Sequence, residues 1–312
     1  MLRNTLTKVA AITAIAAIST TGCSNSADAP ASSAGTTSAS GAAGAGGKIT
    51  IGYITKRGTD SFASDQVAAA KAAAAQVDVT LQTADVKQDS GLTISTVNQM
   101  LSSGVQGIII VVPDQTLGPQ ILTLAKAKNV PVLASDDPIK DATGAAAPFI
   151  GLDGPALGKQ AGTQLATLLA KDPAATAQNS ALAVLSQNSV SACTERTKPA
   201  VDTFTAAAGG KATILDVPHD GTLQTAVTAM SATITQHPGI KKWYITSCND
   251  DGVAGALRAL ESKGVTAANS FGVGMDGSLA CTELAKSNGF VGANYVSFKT
   301  TEGSLSSPCT ST

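Results

Sequence analysis

Residues 107–137 read Gly-Ile-Ile-Ile-Val-Val-Pro-Asp, then a stretch of helical period, then Val-Pro-Val-Leu-Ala-Ser-Asp-Asp. Two short apolar runs that each end in acid, with an amphipathic helix between them, describe a βαβ unit. A helical crossover makes the two strands parallel and brings both acids to the carboxyl edge of the sheet, where open sheets bind ligands. The same ending recurs at 244–250, where Tyr-Ile-Thr-Ser-Cys leads to Asn249 and Asp250, and at 271–276, where Phe-Gly-Val-Gly-Met leads to Asp276. Acids and amides gathered on such edges suit a polar, uncharged small ligand.

The alternation runs through most of the chain. Strands are predicted at 48–55, 77–82, 107–112, 131–135 and 149–152, and again at 181–186, 211–217, 242–247, 270–275 and 290–296. Helical period fills the gaps, as at 61–76, 117–128, 157–169 and 251–263, with Pro155 near a first turn. The expected fold class is α/β, with two doubly wound parallel-sheet lobes facing one another across a crossing segment. The lobes are placed at 48–151 and 152–294, followed by a hinge return and coil tail at 295–312.

The amino end reads differently. Arg3 and Lys8 precede an uncharged apolar run from Val9 to Ile18, too short to span a bilayer, and a small-residue exit leads to Gly22-Cys23. Residues 1–22 are therefore read as an export signal. Residues 23–47 form a Ser/Ala/Gly/Thr tract that cannot bury enough apolar surface to offset its ordering, hence a flexible tether.

A formal net charge of −1 with 14% charged residues lacks the basic excess of a nucleic-acid binder, so no nucleic-acid partner is expected. Two histidines and the absence of a Cys-x-x-Cys pair argue against zinc, and no metal or other cofactor is expected. Gly272-Val-Gly274-Met-Asp-Gly277 has the letters of a dinucleotide fingerprint. Its first two glycines fall inside a strand, however, and Ser297 stands where the later acid belongs. In an export context disulfides persist, and Cys193 and Cys248, each just past a predicted strand, are the favoured pair.

Five segments in order carry a resemblance: Val-Pro-Asp-Gln-Thr-Leu-Gly at 112–118, Val-Leu-Ala-Ser-Asp-Asp at 132–137, Gln-His-Pro-Gly-Ile-Lys-Lys-Trp at 236–243, Cys-Asn-Asp at 248–250 and Gly-Val-Gly-Met-Asp-Gly at 272–277. Together they resemble the arabinose-binding branch of the type I periplasmic sugar-binding proteins of ABC importers, over residues 48–295. The resemblance implies two hinged lobes that close on one monosaccharide, a monomer, no enzymatic activity, and delivery to a membrane permease. It implies a ligand-binding set of Lys56, Asp60, Phe62, Asp136, Asp137, Leu152, Arg196, Asn249 and Asp276. Phe62 stands where the family has tryptophan, Ala192 where it has a hydroxyl residue, and Asp276 where arabinose binders have asparagine, so the identity of the sugar stays open. Gly22-Cys23 resembles a bacterial lipobox with Thr20 in place of leucine, which implies acylation of Cys23 and anchoring to the cell membrane on its outer side. The family also continues past the second crossing with a helix and a strand, where residues 300–312 here read as coil, so the carboxyl end is expected to be short.

On the residues alone, strand neighbours face opposite ways, which assigns Asp136 to a ligand and leaves Asp137 open. Arg196 near a helix start opposes the positive dipole end and so calls for an anionic partner. Phe62 reads equally as an apolar platform for a sugar or as core. A glycosidase would need two carboxyls about 5 to 10 Å apart across a bond, an arrangement that neighbours pointing apart do not supply. A sugar sensor presenting its ligand to a membrane receptor would share the same site.

The anchor is tested by mass spectrometry of the exported protein. The expected product begins at an acylated Cys23, and Cys23→Ala moves the protein from the membrane fraction to the soluble one. A free amino terminus beyond residue 23 refutes the lipid anchor.

Overall fold

A computed structural model describes residues 48–59 and 61–294. The export signal, Cys23, the tether, Asp60 and the carboxyl tail lie outside the described residues. Within them the strands are β1 (Ile49–Thr55), β2 (Val79–Asp85), β3 (Gly107–Ile110), β4 (Val132–Ser135), β5 (Phe149–Ile150), β6 (Ser180–Ser186), β7 (Thr213–Pro218), β8 (Lys242–Ser247), β9 (Ser270–Gly274) and β10 (Phe290–Ala293). The helices are α1 (Ser61–Gln76), α2 (Ser90–Ser102), α3 (Gly118–Ala127), α4 (Gly154–Ala170), α5 (Ser191–Ala208), α6 (Leu223–Gln236), α7 (Asp250–Ser262) and α8 (Ala280–Leu284).

The strands form two sheets of five, ordered β2-β1-β3-β4-β5 and β10-β9-β8-β6-β7, with every pair parallel. Each sheet reverses its winding once, between β1 and β3 in the first and between β6 and β8 in the second. At such switch points neighbouring connections leave on opposite faces and open a crevice beyond the carboxyl ends. Residues 151–153 carry the chain from the first sheet to the second.

Burial explains the strand assignments. β6 is buried along its whole length between β7 and β8, so it reads as a continuous apolar run flanked by serines. Its side chains divide by alternation. Ala181, Ala183 and Leu185 join Trp243 and Ile245 in one core, while Leu182 and Val184 join Tyr244 and Val273 in another on the opposite face. β2 runs three residues beyond its expected end because it pairs with β1 all the way to Thr55↔Asp85, and it starts later because Asp78 turns the chain at φ 52°.

The small residues set the spacing of the helices. A Cβ on Gly158 of α4 would lie 2.1 Å from the Arg196 carbonyl oxygen of α5, and one on Gly162 would lie 2.4 Å from that of Ala200. The two helices thus pack backbone to backbone, which aromatics at 3% and abundant alanine make possible. The glycines at 272 and 274 have a comparable role. A Cβ at Gly272 would strike Val253 at 2.5 Å, and one at Gly274 would strike an Asp250 carboxyl oxygen at 2.0 Å.

Gly158→Ala is expected to destabilise the chain by about 1 to 3 kcal/mol, because the obstructing atoms are helix backbone and the helices must separate. Urea denaturation measures this. An unchanged midpoint would show that α4 and α5 separate at no cost.

Candidate functional site

The carboxyl ends of both sheets meet at one cavity of about 40 Å³. Six of the residues singled out from the sequence border it: Lys56 after β1, Phe62 on α1, Asp136 after β4, Arg196 on α5, Asn249 after β8 and Asp276 after β9. Asp137 lies behind this wall with no exposed surface. Leu152 packs against the second-sheet core that includes Leu157 and Leu165, and Asp60 lies outside the described residues.

The central contact crosses between the sheets. Arg196 donates through Nη2 to Asp136 Oδ1 at 2.6 Å and through Nη1 to the Cys248 carbonyl at 3.0 Å. Lys56 Nζ reaches Asp136 Oδ2 at 3.5 Å and makes a short ion pair with Asp137 Oδ2. Gln115 donates to the other Asp137 oxygen at 3.2 Å. The expectation that the two aspartates point apart is corrected here. Asp136 takes a left-handed φ of 61°, strand β4 has already ended at Ser135, and the broken alternation lets Lys56 hold both carboxylates.

The two carboxyls respond differently to burial. Burial pushes the Asp136 carboxyl up, but Arg196 and then Lys56 outweigh it and hold Asp136 below the usual range. Asp137 lacks the direct arginine contact; burial and the neighbouring Asp136 charge raise it to about 6 against the pull of Lys56.

The second sheet supplies a further acidic pair that the sequence reading placed only in part. Asp250, at the start of α7, has no exposed surface, and its Oδ2 accepts the Leu279 amide at 3.0 Å. Asp276 accepts the Asp250 amide at 3.3 Å and both the amide and hydroxyl of Ser278, at 2.9 and 2.7 Å. Burial, then the Asp276 charge, lifts Asp250 to about 8, and burial also raises Asp276. Asn249 is the N-cap of α7. Its Oδ1 accepts from Gly252 at 3.0 Å and Ser247 at 3.2 Å, and its amide donates to the Gly221 carbonyl at 2.7 Å, so one amide hydrogen is left for a further acceptor.

Arg57, Gln187 and Asp251 also line the cavity and were missed as site residues. Outside it, Arg57 Nη1 at 2.6 Å and Gln88 Nε2 at 3.3 Å both donate to the Asp220 carbonyl, while Gln187 donates to Gln88 at 3.2 Å. These bonds join first-sheet loops to second-sheet loops. The only sequence signal for them was position, since Arg57 follows Lys56 after β1 and Gln187 follows the last residue of β6.

A sequence model of the family described as periplasmic binding protein domain matches residues 51–299. The chain is 29% identical over 211 residues to the L-arabinose-binding periplasmic protein of Escherichia coli (strain K12), a match covering 66% of this chain and 64% of the relative. It is 30% identical over 216 residues to the ABC transporter L-arabinose-binding periplasmic protein of Azospirillum brasilense, covering 67% and 64%. The chain thus spans 64% of the length of these relatives. Two solved structures are alike in fold: the periplasmic component of the arabinose ABC transporter from Shewanella sp. ANA-3, bound to L-arabinofuranose (TM-score 0.66, 21% identity, 76% of each chain), and a Mycobacterium smegmatis protein in complex with β-D-fucofuranose (TM-score 0.68, 21% identity, 77% and 78%).

The acidic pair predicts a pH effect with a definite sign. Asp250 binds its proton near 8 when folded against 3.8 ordinarily, so its contribution to stability is full below about 4 and is lost as pH rises toward 8. Stability should fall by about 1 kcal/mol between pH 7 and pH 9, and Asp250→Asn should flatten that slope in thermal melts. An equal slope in the variant would remove Asp250 as its source.

Proposed function

The chain belongs to the periplasmic binding protein family, and we propose that it captures one monosaccharide, arabinose-like or galactose-like, between its two sheets. It then delivers the sugar to an ABC import permease from the outer side of the cell membrane, where a lipid on Cys23 tethers it. It acts as a monomer and changes no bond of its ligand.

One observation carries this reading. Acceptors and fixed donors from opposite sheets border a single cavity, with Lys56 and Asp136 from the first and Arg196, Asn249 and Asp276 from the second. A monosaccharide presents a ring of hydroxyls that each donate and accept, and this set answers both roles. Asp250, lifted to about 8 by burial and then by the Asp276 charge, keeps its proton at neutral pH behind Asp276. Phe62 supplies an apolar face for ring CH groups.

The cavity of about 40 Å³ is far smaller than the roughly 300 to 1,000 Å³ of ordinary small-molecule sites. Capture therefore requires the sheets to part and the Arg196–Asp136 pair to open, with sugar hydroxyls replacing each charged group's partner. Charge-assisted hydrogen bonds contribute about 1.5 to 3 kcal/mol each. Four or five of them sum to about 6 to 15 kcal/mol, and bonds in the upper part of that range leave the roughly 8 kcal/mol of micromolar affinity after the ordering cost. A hydrolytic role is disfavoured because the adjacent aspartates share Lys56 on one side, instead of standing on either side of a bond.

Calorimetric titration against arabinose, galactose, fucose, xylose, ribose and glucose tests the proposal. At least one is expected to bind at micromolar or tighter affinity, and Arg196→Ala or Asp136→Ala should weaken it at least tenfold, since each removes more than about 1.4 kcal/mol. Absence of binding by all six overturns the function, and unchanged affinity in both variants overturns the site.

A further inference from the structure

Cys193 and Cys248 are joined, with Cα atoms 4.8 Å apart, and both border the cavity. The bond ties the first turn of α5 to the residue that precedes the cap of α7. Arg196 stands three residues after Cys193, on the same helical face. Its Nη1 donates back to the carbonyl of Cys248 at 3.0 Å. These links close a ring: from the Arg196 guanidinium to the Cys248 carbonyl, through the disulfide to Cys193, and along one helical turn to Arg196 again. Val190 and Ala192 bury this ring in a small apolar cluster with the two half-cystines, separate from the main cores.

We propose that the Cys193–Cys248 disulfide is a positioning element of the sugar site, holding Arg196 in the orientation that meets the ligand. The proposal rests on the sugar-binding reading above and adds to it a dependence on oxidation state. The guanidinium is 6% exposed at residue level and has two fixed acceptors, one carboxylate and one carbonyl. The carboxylate belongs to the opposite sheet and leaves when the cleft opens. The carbonyl stays, and the covalent bond determines where it points. Arg196 is thus kept aimed while the site is open, so the ligand need not offset the ordering of a long side chain.

Reduction by a dithiol breaks the S–S bond. Two electrons and two protons convert the half-cystines to thiols, and the reductant closes to its own disulfide. The carbonyl of Cys248 is then free to turn, and affinity falls although α5 remains packed on α4. The bond acts through Arg196 and touches no hydroxyl itself, which separates this role from general stabilisation.

The test compares the oxidised chain, the chain reduced with dithiothreitol, and the pair Cys193→Ala/Cys248→Ala, each with and without Arg196→Ala, in calorimetric titrations with the same six sugars. Loss of the disulfide should weaken the best sugar at least tenfold while the cooperative melt persists, and should cost the Arg196→Ala chain less than twofold. Affinity within twofold of the oxidised chain, or an equal loss with and without Arg196, overturns the proposal. So does loss of the cooperative melt in the Cys193→Ala/Cys248→Ala pair, which would make the bond part of the fold and not of the site; this pair, unlike dithiothreitol, leaves the disulfide at Cys281 intact. A ligand-free measurement keeps the two readings apart. The side-chain N–H resonance of Arg196, assigned by its disappearance in Arg196→Lys, should be protected from exchange in the oxidised chain and lose that protection on reduction. If no sugar binds but protection changes in this way, the function fails and the positioning role stands; unchanged protection defeats the positioning role whatever the sugars do.

Discussion

The Arg196–Asp136 ion pair organises this structure. Both partners are almost wholly buried, and removing two charges from water costs several kcal/mol apiece unless each finds full compensation. Lys56 and the Cys248 carbonyl provide it, one from each side of the cleft. The pair therefore exists only while two separately wound sheets press their carboxyl edges together. A ligand that offers hydroxyls to both ions can replace it without leaving either charge bare.

The glycine and alanine content places the arginine. Because Gly158 and Gly162 let α4 and α5 touch at the backbone, the Arg196 carbonyl lies against α4 and its side chain leaves from a fixed point. Gly274 serves the acidic pair similarly, making room for the Asp250 carboxyl at the end of β9. Residues that look like an abandoned nucleotide fingerprint are thus explained by packing around a buried carboxyl group. The two sheets contribute unlike electrostatics. The first offers Asp136, held ionised by Arg196 and Lys56, and the second holds Asp250, whose carboxyl burial and the Asp276 charge lift to about 8.

Much of the fold could be read along the chain. Ten apolar runs separated by helical period already implied ten parallel strands, because a crossover helix admits little else. The residues just past those strands were legible as edge residues for the same reason, and Lys56, Asp136, Asn249 and Asp276 do lie along one cavity. The errors have local causes. Strand alternation implies that Asp136 and Asp137 point apart, but the left-handed turn at Asp136 ends the alternation one residue earlier. Leu152, in the set that the resemblance implies, packs against the second-sheet core. Asp250 was passed over because its partner Asp276 is 26 residues away in sequence, and mutual burial, which raises both groups, has no signature in either segment.

Local periodicity and residue order were enough to specify the α/β class, the two-sheet arrangement and the edge on which polar residues gather, since these follow from backbone hydrogen bonding and chirality that every segment carries with it. Which of those polar residues face one another depends on a backbone torsion at Asp136, on helix contact at Gly158 and on the approach of two sheets. Such facts arise between distant segments, and they become definite when burial removes water as the alternative partner for each charge.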